Sequence, residues 1–133
     1  MATILQTYAT EESITVIGLD SLVATGELTV EIDNSTNKHL ADDYDVEITS
    51  GIATGTIDIY RAGSNNTGDV PGTGDVSAVW NFVKSLDMSA TKQKVDFRLE
   101  QLKKYNTLLF INNCDVTTTG YTITRVGADL TNA

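Results

Sequence analysis

The chain has very few of the side chains on which most metal and nucleophile chemistry depends. Its 133 residues include one cysteine, Cys114, and one histidine, His39. A single cysteine excludes an intrachain disulfide and a cysteine-based zinc site, and a single histidine excludes a two-histidine metal motif. His39 lies in a polar stretch without a nucleophile motif such as Gly-x-Ser-x-Gly, which favours a solvated loop residue over a catalytic base. We therefore predict that the protein is not an enzyme and uses no cofactor.

Positive charge and long hydrophobic runs are also scarce. Lys and Arg number 9 against 18 Asp and Glu, which gives a net charge of −9. A surface of this sign repels phosphate backbones, so no nucleic-acid partner is expected. No apolar stretch approaches the ~18 residues of a membrane span, and residues 1–10 lack the basic start and apolar run of a signal peptide. We therefore expect no membrane partner and synthesis in a cytoplasm.

Alternation of apolar and polar residues is the main structural signal. Leu28, Val30 and Ile32 alternate with charged or polar neighbours, and the same pattern recurs in residues 45–49, 56–60 and 95–100. Short runs with this period and one wet face are typical of antiparallel sheets. Residues 108–111 are apolar on both faces, which predicts a central strand covered on both sides.

These patterns predict a single domain over residues 1–133 with an all-β fold. The turn clusters between the runs favour an antiparallel two-sheet β-sandwich of jelly-roll type with about eight strands. A further strand is predicted over Val76–Lys84, although its apolar spacing also fits a helix. The residues expected to line the interior are Leu28, Val30, Ile32, Val46, Ile48, Ile57, Ile59, Trp80, Phe82, Val95, Phe97, Leu109 and Ile111.

Four aspartates are the candidates for a cation site. Asp33, Asp42, Asp43 and Asp45 group near predicted loop edges, and calcium prefers such carboxylate oxygens. The spacing matches neither an EF-hand nor a calcium-binding repeat, and aspartates also cap turns. The sequence therefore predicts no metal site, with these four residues as the positions to inspect.

Residues 1–10 form a candidate contact arm. Ile4, Leu5 and Tyr8 are its large apolar or aromatic residues, and a segment of this kind can add a strand to a neighbour's sheet edge. These three are the predicted partner-contact residues. The alternative is an ordinary edge strand of the chain's own sheet.

Several segments together resemble the small jelly-roll virion proteins of tailed bacteriophages. They span about residues 26–126 and read Ile32-Asp33-Asn34-Ser35-Thr36-Asn37, Asp45-Val46-Glu47-Ile48, Thr56-Ile57-Asp58-Ile59-Tyr60, Tyr105-Asn106-Thr107-Leu108-Leu109-Phe110-Ile111-Asn112-Asn113 and Tyr121-Thr122-Ile123. The resemblance implies a capsid decoration or cement protein that binds the assembled head and stabilises it. Its partner would be the major capsid protein, and its location the capsid surface after synthesis in the host cytoplasm.

Three further expectations complete the functional interpretation. Edge strands that need covering favour a homo-oligomer on the shell, for example a trimer. A tail, fibre or baseplate component would use the same fold. A carbohydrate-binding β-sandwich module would expose Trp80 or a group of tyrosines in a groove. An enzyme would bring acids together in a deep cleft around His39 or around Asp42, Asp43 and Asp45.

Overall fold

Strands make up nearly all of the regular structure. The computed structural model describes residues 4–36, 38–73, 79–101 and 103–132. The strands within these ranges are β1 (Ile4–Tyr8), β2 (Glu12–Ser13), β3 (Glu27–Asp33), β4 (Ala41–Ser50), β5 (Thr56–Ser64), β6 (Asn81–Asp87), β7 (Lys92–Glu100), β8 (Tyr105–Asn112) and β9 (Thr118–Asn132). A short 3-10 helix covers Leu19–Ser21. In the described residues, no helix has the length and apolar character needed to span a membrane.

The strands form antiparallel sheets in which the partners are nested along the chain. One sheet has the order β1-β9-β4-β7, with β2 also paired to β9, and the other has the order β3-β8-β5-β6. The partners β1 and β9, β3 and β8, β4 and β7, and β5 and β6 therefore enclose one another in sequence. This is a long hairpin rolled into two layers, the strand order of a jelly roll. The predicted all-β, two-sheet jelly-roll sandwich is confirmed.

The core lies between the two sheets and follows the alternation in the sequence. Its predicted members Ile32, Val46, Ile48, Ile57 and Ile59 are at most 3% exposed. Four more predicted residues pack against this core from partly buried positions: Leu28, Val30, Val95 and Phe97. Tyr44 adds an aromatic contact, because its ring stacks on Phe97 with the centroids 5.4 Å apart.

A second apolar cluster lies outside the sandwich, over β8. Leu108 and Phe110 belong to the core, whereas Leu109 packs with Ala62 and Trp80. Leu109 is nevertheless fully buried, and the Trp80 indole Nε1–H donates to the Gly72 carbonyl at 3.0 Å. The connection between β5 and β6 thus covers the outer face of β8, as predicted for a strand apolar on both faces. The expectation that Trp80, Leu109 and Ile111 line the space between the sheets is wrong, since they belong to this outer cluster.

The predicted strand over Val76–Lys84 and the predicted burial of Phe82 are also corrected. β6 runs from Asn81 to Asp87, and residues 76–78 lie outside the described ranges. Phe82 lies opposite Tyr60 in the sheet and meets its ring edge-on, with the centroids 5.5 Å apart. It is 59% exposed. Phe82 shares the outer face with Trp80, but the covering loop does not bury it.

The two ends of the sandwich are built differently. At the loop end, connections from different strands are joined by hydrogen bonds, including Leu22 N–H to Thr118 Oγ1 at 2.8 Å and Thr54 N–H to an Asp115 carboxylate oxygen at 2.9 Å. We use "loop end" for residues 14–26, 51–55, 88–91 and 113–117. The opposite end carries β1 and the last residues of β9.

Candidate assembly surfaces and an interior ion cluster

A two-stranded ribbon extends the sandwich at the end opposite the loop end. The pairing of β9 with β4 stops at Ala128, whereas its pairing with β1 continues to Asn132. Within the described ranges, β1 is therefore the strand partner of β9 beyond Ala128. We call β1 together with residues 129–132 the ribbon.

The ribbon exposes apolar side chains to solvent. Leu5 is 47% exposed, Tyr8 61% and Leu130 58%. Ile4, the third predicted contact residue, belongs to β1, but its side chain lies outside the described residues. The structure thus makes residues 4–8 of the predicted arm an edge strand of the chain's own sheet, while residues 1–3 lie outside the described residues. Leu5 and Tyr8 remain accessible to a partner.

A histidine–aspartate pair fixes the base of the ribbon. His39 Nδ1 lies 2.6 Å from Asp129 Oδ2, and the Leu40 N–H donates to Asp129 Oδ1 at 3.0 Å. The hydrogen bonds from His39 and Leu40 hold the pKa of Asp129 below its ordinary value. Gly127 makes room for the imidazole, because a methyl group at this position would overlap the His39 ring. His39 therefore joins the β3–β4 connection to β9.

A shallow groove lies on the outer face beside the ribbon. It has a volume of about 390 Å³, and its lining includes Ala41, Ala128 and Leu130. At its wall, the Arg98 guanidinium donates two hydrogen bonds, of 2.6 and 2.8 Å, to the carboxylate oxygens of Asp43. These bonds hold the pKa of the Asp43 carboxyl below its usual range. The groove is therefore lined by charged side chains as well as by small apolar side chains.

The interior of the sandwich contains a buried arginine at the ribbon end. Arg125 is 5% exposed and occupies the inward face of β9 two residues after Ile123. Its guanidinium donates to Asn34 Oδ1 at 2.7 Å and to Glu12 Oε2 at 3.0 Å. It also reaches Asp42 Oδ2 at 3.4 Å. Because these acceptors come from the elements around β2, β3 and β4, Arg125 ties both sheets together where the apolar core ends.

Asp42 is the buried anion of this cluster. It is 1% exposed, and it accepts a hydrogen bond of 2.8 Å from Gln101 Nε2. The other side-chain end of Gln101, its Oε1, accepts the His39 N–H at 2.9 Å. Burial raises the pKa of the neighbouring Tyr44 phenol well above its usual value, so this group stays neutral. The cluster therefore extends as one hydrogen-bonded path from Arg125 to the base of the ribbon.

The structure separates the four aspartates that were candidates for a cation site. Asp42 points inward to Arg125, Asp43 pairs with Arg98 on the outer face, and Asp45 lies 3.6 Å from Lys94. Asp33 ends β3 in the other sheet, where it accepts the Ser35 N–H at 2.7 Å. Three of the four lie within β4 rather than at a loop edge, which corrects the sequence expectation. Across the described part of the chain, no group of three or more His, Cys, Asp or Glu residues is placed to hold a metal ion.

A cavity beside the cluster brings together some residues that an enzyme would use. It measures about 430 Å³, and its lining includes Glu12, His39, Asp42 and Arg125. Each of these side chains has an ionic or hydrogen-bonding partner within the protein. Cys114 belongs to the distant loop end, is 5% exposed, and has a thiol pKa raised by burial. The polar residues of the cavity are arranged as a structural cross-link between strands.

Sequence reasoning did not identify Arg125 as a member of this cluster. The available signal was its period-two position after Tyr121 and Ile123, which puts it on the inward face. An arginine at an inward position implies buried acceptors, but these come from residues 83 to 113 positions earlier in the chain. Only the topology brings them together.

Comparisons with known proteins give remote structural likenesses. No family model matches the sequence. No curated protein matches it. Among solved structures, a mitogen from Yersinia pseudotuberculosis is 14% identical, with a TM-score of 0.42 over 96% of this chain and 86% of that one. A protein of the disulfide-linked pili of Bacillus endospore appendages is 13% identical, with a TM-score of 0.40 over 95% and 88%.

An exo-β-1,3-galactanase from Phanerochaete chrysosporium is 10% identical, with a TM-score of 0.42 over 93% of this chain and 29% of that one. All three TM-scores lie below 0.5, so these likenesses carry no argument about function. A functional assignment therefore depends on the arrangement of the chain's own residues.

Proposed function

We propose that the chain is a structural protein of a tailed-phage virion, a capsid decoration protein that binds the assembled head and stabilises it. The jelly-roll strand order and the resemblance of several segments to small phage virion proteins support this role. The observation that carries it is the distribution of exposed apolar side chains. One group lies at the loop end and another on the ribbon at the opposite end, and further ones lie in or beside the β5–β6 connection. Apolar groups displayed in this way mark protein contacts.

The loop end is the surface that faces the shell in this proposal. Ile17 is 88% exposed, Ile52 74% and Val23 59%. All three are large apolar residues in connections that hydrogen bonds hold together at one end of the fold. Burial of such side chains against a protein shell is favourable by about 25 cal/mol for each Å² of apolar surface removed from water.

The sheet face between the ends is suited to solvent rather than to a protein contact. β4 and β7 carry opposite charges at neighbouring positions on this face, with Lys92 Nζ 3.2 Å from Glu47 and the Arg98–Asp43 pair further along. Exposed pairs of this kind contribute little to stability and keep a surface hydrated. The net charge of −9 keeps decorated particles dispersed. Attachment at the ends leaves this charged face in water.

The mechanism requires no covalent chemistry. A shell repeats the same surface many times, so a subunit that is held at one point meets its next contact at high effective concentration. Modest contacts at the loop end and at the ribbon therefore add up to firm attachment. Each attached copy buries surface across the junction between capsid subunits, which stabilises the head.

Cosedimentation with capsids tests the proposal. Undecorated heads are assembled from the major capsid protein of the same phage genome, mixed with the purified chain, and pelleted. The wild type is expected to pellet with the heads, and Ile17→Asp with Ile52→Asp is expected to remain in the supernatant. Val70→Asp is the matched control, since Val70 is 39% exposed but lies in the β5–β6 connection. A folded wild-type protein that does not pellet with heads would overturn the capsid role.

The same assay separates this proposal from its alternatives. Binding to purified tails but not to heads would indicate a tail, fibre or baseplate component instead. A carbohydrate module built on Trp80 is disfavoured, because the Trp80 ring is 4% exposed and its Nε1–H is already bonded. Neither alternative predicts binding of the wild type to heads that depends on Ile17 and Ile52.

A further inference from the structure

Within the described residues, the edge of β1 that faces away from β9 has no strand partner, and it differs from the other sheet edges. In the described structure the remaining edges are formed by β2, which carries Glu12, and by β7, β3 and β6. All four carry charged side chains, which natural edge strands use to prevent pairing with other chains. On the three longer strands these are Lys92, Lys94, Asp96, Arg98 and Glu100 on β7, Glu27, Glu31 and Asp33 on β3, and Lys84 and Asp87 on β6. β1 reads Ile-Leu-Gln-Thr-Tyr, without a charge, a proline or a register shift.

The backbone groups of β1 show which residues offer hydrogen bonds at this edge. The Ala9 N–H donates to the Gly127 carbonyl at 2.8 Å, on the β9 side of the strand. Residues of an antiparallel pair alternate between bonding to the partner and pointing away from it. Leu5 and Thr7 therefore bond to β9, whereas the N–H and C=O groups of Ile4, Gln6 and Tyr8 point to the open side.

We propose that a second copy of this chain occupies the edge, with the two β1 strands antiparallel about a two-fold axis through Gln6. This inference rests on the proposed function, because it names the partner of the ribbon. In this register Gln6 lies opposite Gln6 of the second copy, and Tyr8 lies opposite Ile4. The open backbone groups of both strands then meet in about six hydrogen bonds. A strand that pairs with its own copy repeats every charge on both sides, so the absence of charge in β1 favours a second copy in a chain with a net charge of −9.

The pairing has a consequence for attachment to a shell. The sheet of one copy continues into that of the other, from β7 through the two β1 strands to the second β7. Since the strands run in opposite directions, the two loop ends lie at opposite tips of an elongated dimer. The two loop ends of such a dimer therefore face in opposite directions, and one can contact the shell while the other points away from it. The symmetry closes with two copies, in contrast to the trimer suggested from the sequence.

Cysteine cross-linking tests the register. Opposed residues in a bonded antiparallel pair have Cα atoms about 5.5 Å apart, within reach of a bis-methanethiosulfonate with a one-carbon spacer. Gln6→Cys is expected to give a reducible dimer. Tyr8→Cys is the matched control, because the two Tyr8 positions would be about 14 Å apart along the strands. The wild type controls for Cys114, which is buried.

A second measurement does not depend on cross-linking. Gln6→Pro removes an N–H that points to the open side, so the pairing of β1 with β9 keeps its hydrogen bonds. Sedimentation velocity is expected to show a wild-type dimer and a Gln6→Pro monomer with a melting temperature close to that of a wild-type sample diluted to monomer.

The outcomes distinguish this inference from the proposed function. A wild type that is monomeric at all concentrations, or cross-linking of Tyr8→Cys in preference to Gln6→Cys, overturns the two-fold pairing even if the chain pellets with heads. A Gln6→Cys dimer that does not pellet with heads supports the pairing and overturns the capsid role.

Discussion

Replacement of Arg125 by Met tests the role of the interior ion cluster. The change keeps an unbranched side chain of similar length but removes the guanidinium. Asp42 then remains buried at 1% exposure with Gln101 as its remaining side-chain donor, and Asn34 Oδ1 loses the donor at 2.7 Å. Glu12 is affected less, because its side chain is 40% exposed and water can replace the guanidinium.

The size of the loss follows from the burial of the remaining charge. Removal of one partner from a buried ion pair costs about 3–5 kcal/mol, because the other charge stays out of water without compensation. Domains of this size are stable by about 5–15 kcal/mol, so Arg125→Met is expected to fold with a much reduced free energy of unfolding. Asp42→Asn is expected to cost less, since Arg125 keeps Glu12 and Asn34. The free energy of unfolding lost in the double variant should be smaller than the sum of the two single losses by about 1 kcal/mol or more.

Urea denaturation followed by circular dichroism measures these free energies. Arg98→Met serves as the control, because it makes the same chemical change in an exposed ion pair and should lose far less stability. A loss in Arg125→Met no larger than that in Arg98→Met would refute the reasoning. Strict additivity of Arg125→Met and Asp42→Asn would refute it as well, since the expected coupling arises from the charge left behind.

Three further predictions concern the ribbon and the outer cluster. His39 lowers the pKa of Asp129, so the stability from this pair is present above the unfolded pKa of the carboxyl group and is lost as the pH falls through the lower folded pKa. Asp129→Asn should therefore flatten the decline in melting temperature below about pH 4. An unchanged decline would contradict this. Gly127→Ala should displace the His39 ring and lower the melting temperature. Asp129→Asn added to this variant should then lower the melting temperature little further. Additive losses would show that the two positions are uncoupled. Leu109→Ala should cost about 2–5 kcal/mol and shift the fluorescence of Trp80 to longer wavelength; an unshifted emission would show that the cover over β8 does not depend on Leu109.

Much of the fold follows from the order of side chains along the chain. Alternation at Leu28–Ile32, in residues 46–48 and in residues 57–59 identifies strands and their inward residues, since successive side chains of a strand point to opposite faces. The apolar run at residues 108–111 identifies a central strand in the same way. These local patterns also correctly predict a two-layer sheet protein, because a face that is apolar along several strands needs a second layer to cover it.

Other features were decided by the tertiary structure. Trp80 and Phe82 share one face by sequence, yet only the path of the covering loop determines that the first is buried and the second exposed. Asp42, Asp43 and Asp45 are close in sequence, but the first points inward to Arg125 whereas the other two pair with cations on the outer face. Arg125 finds its acceptors because the rolled hairpin brings β2, the end of β3 and the start of β4 beside the inward face of β9. Side-chain periodicity acts over a few residues and can be read from the sequence, whereas contacts between distant segments depend on register and topology.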